Sequence, residues 1–140
     1  KLLSAARREL ERDREAHEDT LKILREHHAD EVGGVLHCYS GSAEMVRDVL
    51  DLGFYLGFGG TLTFKNAKKV HKAAEAAPIK RIVLETDCPY LAPEPHRGTR
   101  NSSLLMHFVA ERLAQIKGIS VGEVEEITLS NAKRLYRIQN

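Results

Sequence analysis

This sequence predicts an α/β fold: a parallel sheet of three strand–helix units, with a long helix before it and further helices after it. Three observations carry that expectation. Short apolar runs recur between helix-length segments of about a dozen residues, the spacing that joins parallel strands through right-handed crossovers. Each run is bounded by glycine, proline or a polar cluster, as strand ends and turns require. The chain has 140 residues, 42% of them hydrophobic, which suffices for one domain with its own core and is short for a closed enzyme barrel.

The first predicted element is a long helix over residues 1–31. Leu3, Ala6, Leu10, His17, Leu21 and Leu24 fall at three- and four-residue steps or their multiples, and no glycine or proline interrupts them before Gly33. Its middle, RRELERDREAHED, holds ten charged residues in thirteen, the composition of a solvated face held by local ion pairs. GGVLHCYS is the first strand. Ser42–Leu52 follows as a helix with Glu44 near its positive N-terminus, and Gly53 stops it. FYLGFGG is the second strand, and Lys65–Ala77 is an alanine-rich helix ended by Pro78. RIVLETD is the third strand. A proline-rich loop, CPYLAPEPHRGTRNSS, leads to a helix over Leu104–Lys117 whose Leu105, Phe108, Val109, Arg112, Leu113 and Ile116 make an amphipathic stripe with one polar interruption. Ser120 and Glu123 make a capping box, and Ser130 opens a last helix, NAKRLYRI. The chain thus reads as one domain, 1–140, made of the helix 1–31, three βα units with their rim loops in 33–101, and the helices of 103–140.

Composition narrows the function classes. With 21 Lys and Arg against 20 Asp and Glu, the net charge of +1 exerts no global pull on nucleic acid or membrane, so any such contact is local. Two cysteines in strand-like runs fit a reducing cytoplasm better than a secreted disulfide framework. No apolar run approaches the roughly 20 residues that span a bilayer, and no signal-peptide pattern is present, so the expected location is cytoplasmic with no membrane partner. The chain opens on Lys1 rather than Met, which suggests a piece trimmed or processed from something longer.

In parallel sheets, chemistry gathers at the carboxyl ends of the strands. His37–Ser40, Gly57–Gly60 and Glu85–Asp87 all fall there and are expected on one rim. Asp87 is held by the following Pro89; it either caps a turn or presents a carboxylate to a cation or to donors. His37 is either a satisfied core histidine or a ligand. Imidazole with carboxylate suits zinc, and carboxylates also suit manganese or magnesium. His96, in the PEPHRG loop, is a minor candidate for a further ligand. Gly59 and Gly60 precede a lysine-bearing segment, where glycine lets backbone amides approach an anion; a tight strand-to-helix turn explains them equally. Arg97 and Arg100 either grip phosphate oxygens or serve loop solubility and ion pairing. Cys38 and Cys88 each follow a candidate ligand, so strand alternation should turn them away from the site as small buried hydrophobes.

Together these residues resemble the TatD family of metal-dependent hydrolases, usually described as deoxyribonucleases. The likeness runs from about Arg14 to Ile138. It rests on LHCYSG, DLGFYLGFGGTLTFKNAKK, LETDCPYLAPEPHRGTRN and the KGIS…ITLSNAKRLY tail, in order and spacing. The resemblance implies a TIM-barrel relative whose last three strands are the three found here, with a two-metal centre at the C-terminal rim. It implies His37 as a metal ligand and Asp87 as a ligand or water-activating acid. It gives Glu85 a supporting role, and places Arg97, Gly98, Arg100 and Asn101 in a loop near the substrate phosphate. The family's opening His-x-His strand and its later Glu-bearing strand have no counterpart. REAHEDTLKILREH resembles the helix after the family's fifth strand, yet the His-Ser-Arg that ends that strand is here Arg12, Asp13 and Arg14, preceded by the helix former SAARRELE.

The expected fold is therefore a partial TIM-barrel-like (βα)3 sheet. Three such strands leave two open edges and one bare apolar face. A helix of some 30 residues, roughly 45 Å long, and a second copy of the chain are the two covers available, and a homo-oligomer is expected. The expected function is that of a TatD-like phosphodiester hydrolase fragment. It keeps part of a divalent-metal rim (Zn, Mn or Mg) that meets the DNA phosphate backbone, and is inactive or weakly active alone. The alternative is a non-catalytic structural or self-assembling α/β module, engineered or decayed.

Overall fold

The computed structural model describes residues 16–138. Helix α1 covers residues 16–26 of this range. There follow β1 (Val35–Leu36), α2 (Val46–Asp51), β2 (Tyr55–Phe58), α3 (Lys68–Ala76), β3 (Ile82–Leu84), α4 (Met106–Lys117) and α5 (Val121–Leu135). The strands form one parallel sheet in the order β1-β2-β3. Val35 pairs with Tyr55 and Leu36 with Leu56, while Leu56, Gly57 and Phe58 pair with Ile82, Val83 and Leu84. Parallel register turns all three carboxyl ends to the same side, which is what assembles a site from residues some fifty positions apart.

The central strand is the most buried, as a parallel sheet covered by helices requires. Leu56 and Phe58 of β2 and Ile82 of β3 are buried among Val49 of α2, Ala73 and Ala74 of α3, Val109 and Leu113 of α4, and Val124 of α5. Leu21 of α1 joins the same cluster, and Arg25 on that helix pairs with Asp48 of α2. The described part of the N-terminal helix therefore packs against the first βα unit.

Two tertiary ties fix the C-terminal helices. The Lys117 ammonium, at the end of α4, donates to the carbonyls of Glu75 (2.9 Å) and Ala77, so a cation satisfies the terminal carbonyls of α3. Burial holds its pKa below the ordinary lysine value. Asn131, fully buried in α5, donates through Nδ2 to the carbonyls of Ile79 (2.8 Å) and Ile82 (2.7 Å), and its Oδ1 accepts from Arg134 (2.7 Å). One side chain thus ties α5 to the entry of β3.

Several element ends differ from the sequence reading. The helix expected over 1–31 ends at residue 26, and its part before residue 16 lies outside the described residues. His28 takes a left-handed conformation (φ 53°), and a short 3-10 turn at Ala29–Glu31 follows. Asp30 and Glu31 would have faced the negative end of a continued helix, which disfavours continuation. Helix α2 begins at Val46 instead of Ser42, because the Ser42 carbonyl accepts a hydrogen bond from the Tyr39 hydroxyl (2.9 Å) in the preceding turn. Helix α3 begins at Lys68 instead of Lys65, after a 3-10 turn at Gly60–Thr63. A further 3-10 turn, Ser103–Leu105, precedes α4. Ser130 opens no helix: it lies inside α5, on an exposed face where a serine costs little.

The Ser120–Glu123 capping box is present in full. The Ser120 hydroxyl accepts from the Glu123 amide (3.2 Å), and the Glu123 carboxylate accepts from the Ser120 amide (2.9 Å) and hydroxyl (2.7 Å). These bonds, the hydroxyl's first, hold the Glu123 carboxyl below the ordinary glutamate value. A carboxyl lowered in the folded state adds stability above its unfolded value and loses it as pH falls through the lowered one. Ser120→Ala is accordingly expected to lower the melting temperature by about 3–5 °C at neutral pH, with the difference shrinking in acid; paired thermal melts check both.

Candidate metal centre

The site is built across the three strand ends, and β2 in the middle makes room for it. His37 follows β1 directly, and Glu85 and Asp87 follow β3. Adjacent strands stand about 4.8 Å apart, so groups on β1 and β3 meet only by reaching over β2. Gly57 of β2 permits this: a Cβ there would lie 2.1 Å from Glu85 Oε2. Over that gap Glu85 accepts a short hydrogen bond from the Cys38 amide through Oε1. The same oxygen lies 3.4 Å from His37 Nε2, and Asp87 Oδ1 lies 3.1 Å from that nitrogen. The three residues expected on one rim do meet.

Burial sorts their chemistry. The Glu85 side chain is 13% exposed, that of Asp87 26% and that of His37 58%, so Glu85 is the inner support and His37 the outer face. Burial chiefly raises the Glu85 pKa, and the Asp87 charge adds to this; the Cys38 amide and His37 act the other way.

Cys38 corrects the sequence reading. Its φ is 48°, which breaks strand alternation and brings the thiol to Asp87 and Thr61. Burial first, then Asp87 and Glu85, push its pKa up to about 11, so the group is a neutral thiol. Cys88 is exposed rather than buried, and its thiol donates to Thr86 Oγ1 at 3.1 Å.

The proline-rich loop folds back onto the end of β2. A Cβ on Gly60 would lie 1.9 Å from the Leu91 carbonyl, and one on Gly59 would lie 3.2 Å from that of Glu85. Close backbone approach therefore explains both glycines. Asn101, 3% exposed, donates to the Tyr90 carbonyl (2.8 Å) and accepts from the Ser102 amide (2.8 Å), while its own amide donates to the Pro89 carbonyl (2.9 Å). Its polar atoms hold the loop's shape. Arg97 is exposed, with its guanidinium 4.2 Å from the Phe64 ring centre and 4.0 Å from Glu94. Arg100 is exposed on the same loop. His96 rests against Phe108 at 5.1 Å between ring centres.

The sequence reading put Gly57 on the rim without the close approach it permits, and the turn at Cys38 escaped it. A glycine inside a strand is a known sign of close approach by another group; a left-handed cysteine leaves no such trace.

The donor chemistry of His37 and Asp87 fits a divalent ion. Two ligands each about 2.1 Å from a tetrahedral ion stand about 3.4 Å apart, close to the 3.1 Å between Nε2 and Oδ1. Glu85 Oε1 is already engaged by the Cys38 amide. Among the described residues, no group of three or more His, Cys, Asp or Glu side chains is placed to hold a metal ion. The rim thus brings together one imidazole and one further carboxylate, those of His37 and Asp87.

A parallel α/β domain with imidazole and carboxylate at its strand ends belongs to the broad class of folds that bind ligands at the carboxyl rim of the sheet. Residues 12–137 match the model of a family described as TatD related DNase. The "Uncharacterized metal-dependent hydrolase YabD" of Bacillus subtilis is 48% identical over 126 residues, covering 90% of this chain and 49% of that relative. The "Uncharacterized metal-dependent hydrolase YcfH" of Escherichia coli is 46% identical over 125 residues, covering 89% of this chain and 47% of that relative. The crystal structure of YJJV, a TatD homologue from Escherichia coli, superposes with a TM-score of 0.80 at 27% identity, covering 88% of this chain and 47% of that one. The chain belongs to the TatD family. It spans about half the length of the curated relatives it matches. Among the described residues, no helix is long and apolar enough to cross a membrane.

Proposed function

We propose that this chain carries part of the active centre of a metal-dependent phosphodiester hydrolase acting on DNA. The observation that supports this most directly is the 3.1 Å approach of His37 Nε2 to Asp87 Oδ1 across the outer strands of the sheet. The family's description as a DNase and its relatives' names as metal-dependent hydrolases point the same way. His37 and Asp87 would hold a Zn, Mn or Mg ion. Such an ion, when bound, polarises a phosphoryl oxygen and acidifies a water. Asp87 would either ligate the ion or take a water's proton, and Glu85 would support His37 from beneath. Arg97 and Arg100, exposed on an anchored loop, are the groups to grip the phosphate oxygens.

The sheet is, on this reading, a partial TIM-barrel-like unit. The outer edges of β1 and β3 have no strand partner among the described residues, and unpaired edge amides and carbonyls can pair with a strand of another chain. A second copy is the cover we propose, and light scattering that shows a concentration-independent monomer would remove it.

Metal binding is tested by titration calorimetry with zinc and manganese, together with thermal melts with and without EDTA. An ion that binds only the folded state raises the midpoint, by about 2.7 kcal/mol of stability at 100 times its dissociation constant. The expected result is a midpoint lowered by EDTA and an isotherm weakened in both His37→Ala and Asp87→Ala. An isotherm unchanged in both variants, with no effect of EDTA, would instead favour a non-catalytic structural module.

A further inference from the structure

We propose that Gly57, Glu85 and Cys38 form one positioning device that aims His37, and that Gly57 is the residue on which the device depends. The metal-binding role of His37 proposed above is its premise. Cys38 is a non-glycine residue at φ 48°, a conformation that costs an L-residue free energy and persists only when neighbours impose it. Here they impose it from both sides. The Cys38 amide donates to Glu85 Oε1, and the next amide, that of Tyr39, donates to the Gly57 carbonyl at 2.9 Å. The peptide leaving His37 is thereby clamped to β2 and to the end of β3. Glu85 Oε1 also faces the His37 ring at 3.4 Å, so a single carboxylate oxygen sets both the turn and the imidazole that precedes it.

Glu85 reaches that position only over a strand residue with no side chain. A Cβ on Gly57 would lie 2.1 Å from Oε2 and 2.8 Å from Cδ of Glu85. Gly57 does not have a left-handed φ, so its backbone accepts alanine, and the three atoms nearest to the added Cβ all belong to Glu85. Gly57→Ala therefore displaces the carboxylate without changing its chemistry. Glu85→Gln keeps an Oε1 acceptor for the Cys38 amide, whereas Glu85→Ala removes it. Cys38→Gly relieves the cost of the left-handed turn without restoring the tether.

The test uses the whole chain, with manganese titration calorimetry, thermal melts, and nuclear magnetic resonance of the Cys38 amide and the His37 ring. Gly57→Ala and Glu85→Ala are each expected to weaken manganese binding at least tenfold, the scale on which groups behind a ligand act, and to shift the Cys38 and His37 resonances together. Glu85→Gln should stay within about threefold of the parent chain, since its amide oxygen still accepts. Adding Cys38→Gly to Glu85→Ala should recover melting temperature and leave binding weak, which separates aiming from mere folding. If the double variant recovers binding along with stability, or if Gly57→Ala binds like the parent chain, the device does not aim His37. If His37→Ala itself binds manganese normally, or the parent chain binds none, the metal-ligand reading has failed instead. The resonances still decide in that case: a Gly57→Ala chain whose Cys38 and His37 signals stay in place overturns the device.

Discussion

Single-stranded DNA incubated with the 140-residue chain and manganese is expected to be cut at least about a thousandfold more slowly than by a hydrolytic site with a full ligand set. The reason lies in the ligand count. Hydrolytic zinc sites hold their ion with about three protein ligands and leave a position for water, and the described rim supplies His37 and Asp87. Ion geometry and water activation act as a unit, so a missing ligand removes most of the rate rather than a proportionate share. A gel assay with manganese and with EDTA, run against a metal-dependent nuclease of known rate, checks this. Metal-dependent cleavage that survives repurification and disappears in Asp87→Asn would overturn the expectation. It would mean that a second copy completes the ligand set, and that the assembly is the enzyme.

The largest effect on stability is expected at Asn131. Asn131→Ala strips donors from the carbonyls of Ile79 and Ile82 and an acceptor from Arg134. Buried groups left without partners cost about 1–3 kcal/mol each, so the loss should reach about 2–4 kcal/mol. In a domain of this size that lowers the melting temperature by about 10 °C. Ser130→Ala, the exposed neighbour on the same helix, should change stability by no more than about 0.5 kcal/mol. Equal losses in the two variants would show that the helix, and not the Asn131 tie, sets the cost.

How far the sequence could be read depends on where each signal resides. The three strands were legible because burial writes itself as an apolar run, and Ile82–Leu84 or Tyr55–Phe58 need no partner to be recognised. Their common rim followed from parallel topology. Helix ends were less legible, because they answer to contacts outside the helix: the Tyr39 hydroxyl on the Ser42 carbonyl delays α2, and Asn131 carries α5 through a serine that resembles a cap. The capping box at Ser120 was read correctly because its partners are three residues apart. Within the site, His37, Glu85 and Asp87 could be named as strand-end residues, but the orientation of Cys38 could not. Alternation predicts a side chain only while the strand continues, and at Cys38 a bond to Glu85, 47 positions later, has already ended it. Asn101 shows the converse: a residue in a candidate substrate loop has its polar atoms engaged by the loop's own backbone.

The tie from Asn131 to Ile79 and Ile82 also sets an order of events during synthesis. These partners are separated by 52 and 49 positions, and chains emerge at about 5–20 residues per second, N-terminal end first. For about 3–10 s after the β3 segment leaves the ribosome, the carbonyls of Ile79 and Ile82 lack the Asn131 donor, while β1 and β2 already have all the chain they need to pair. The nascent protein passes through a stage in which its first βα unit can form and its third strand has a place but no anchor. The anchor arrives with α5, some fifty residues later.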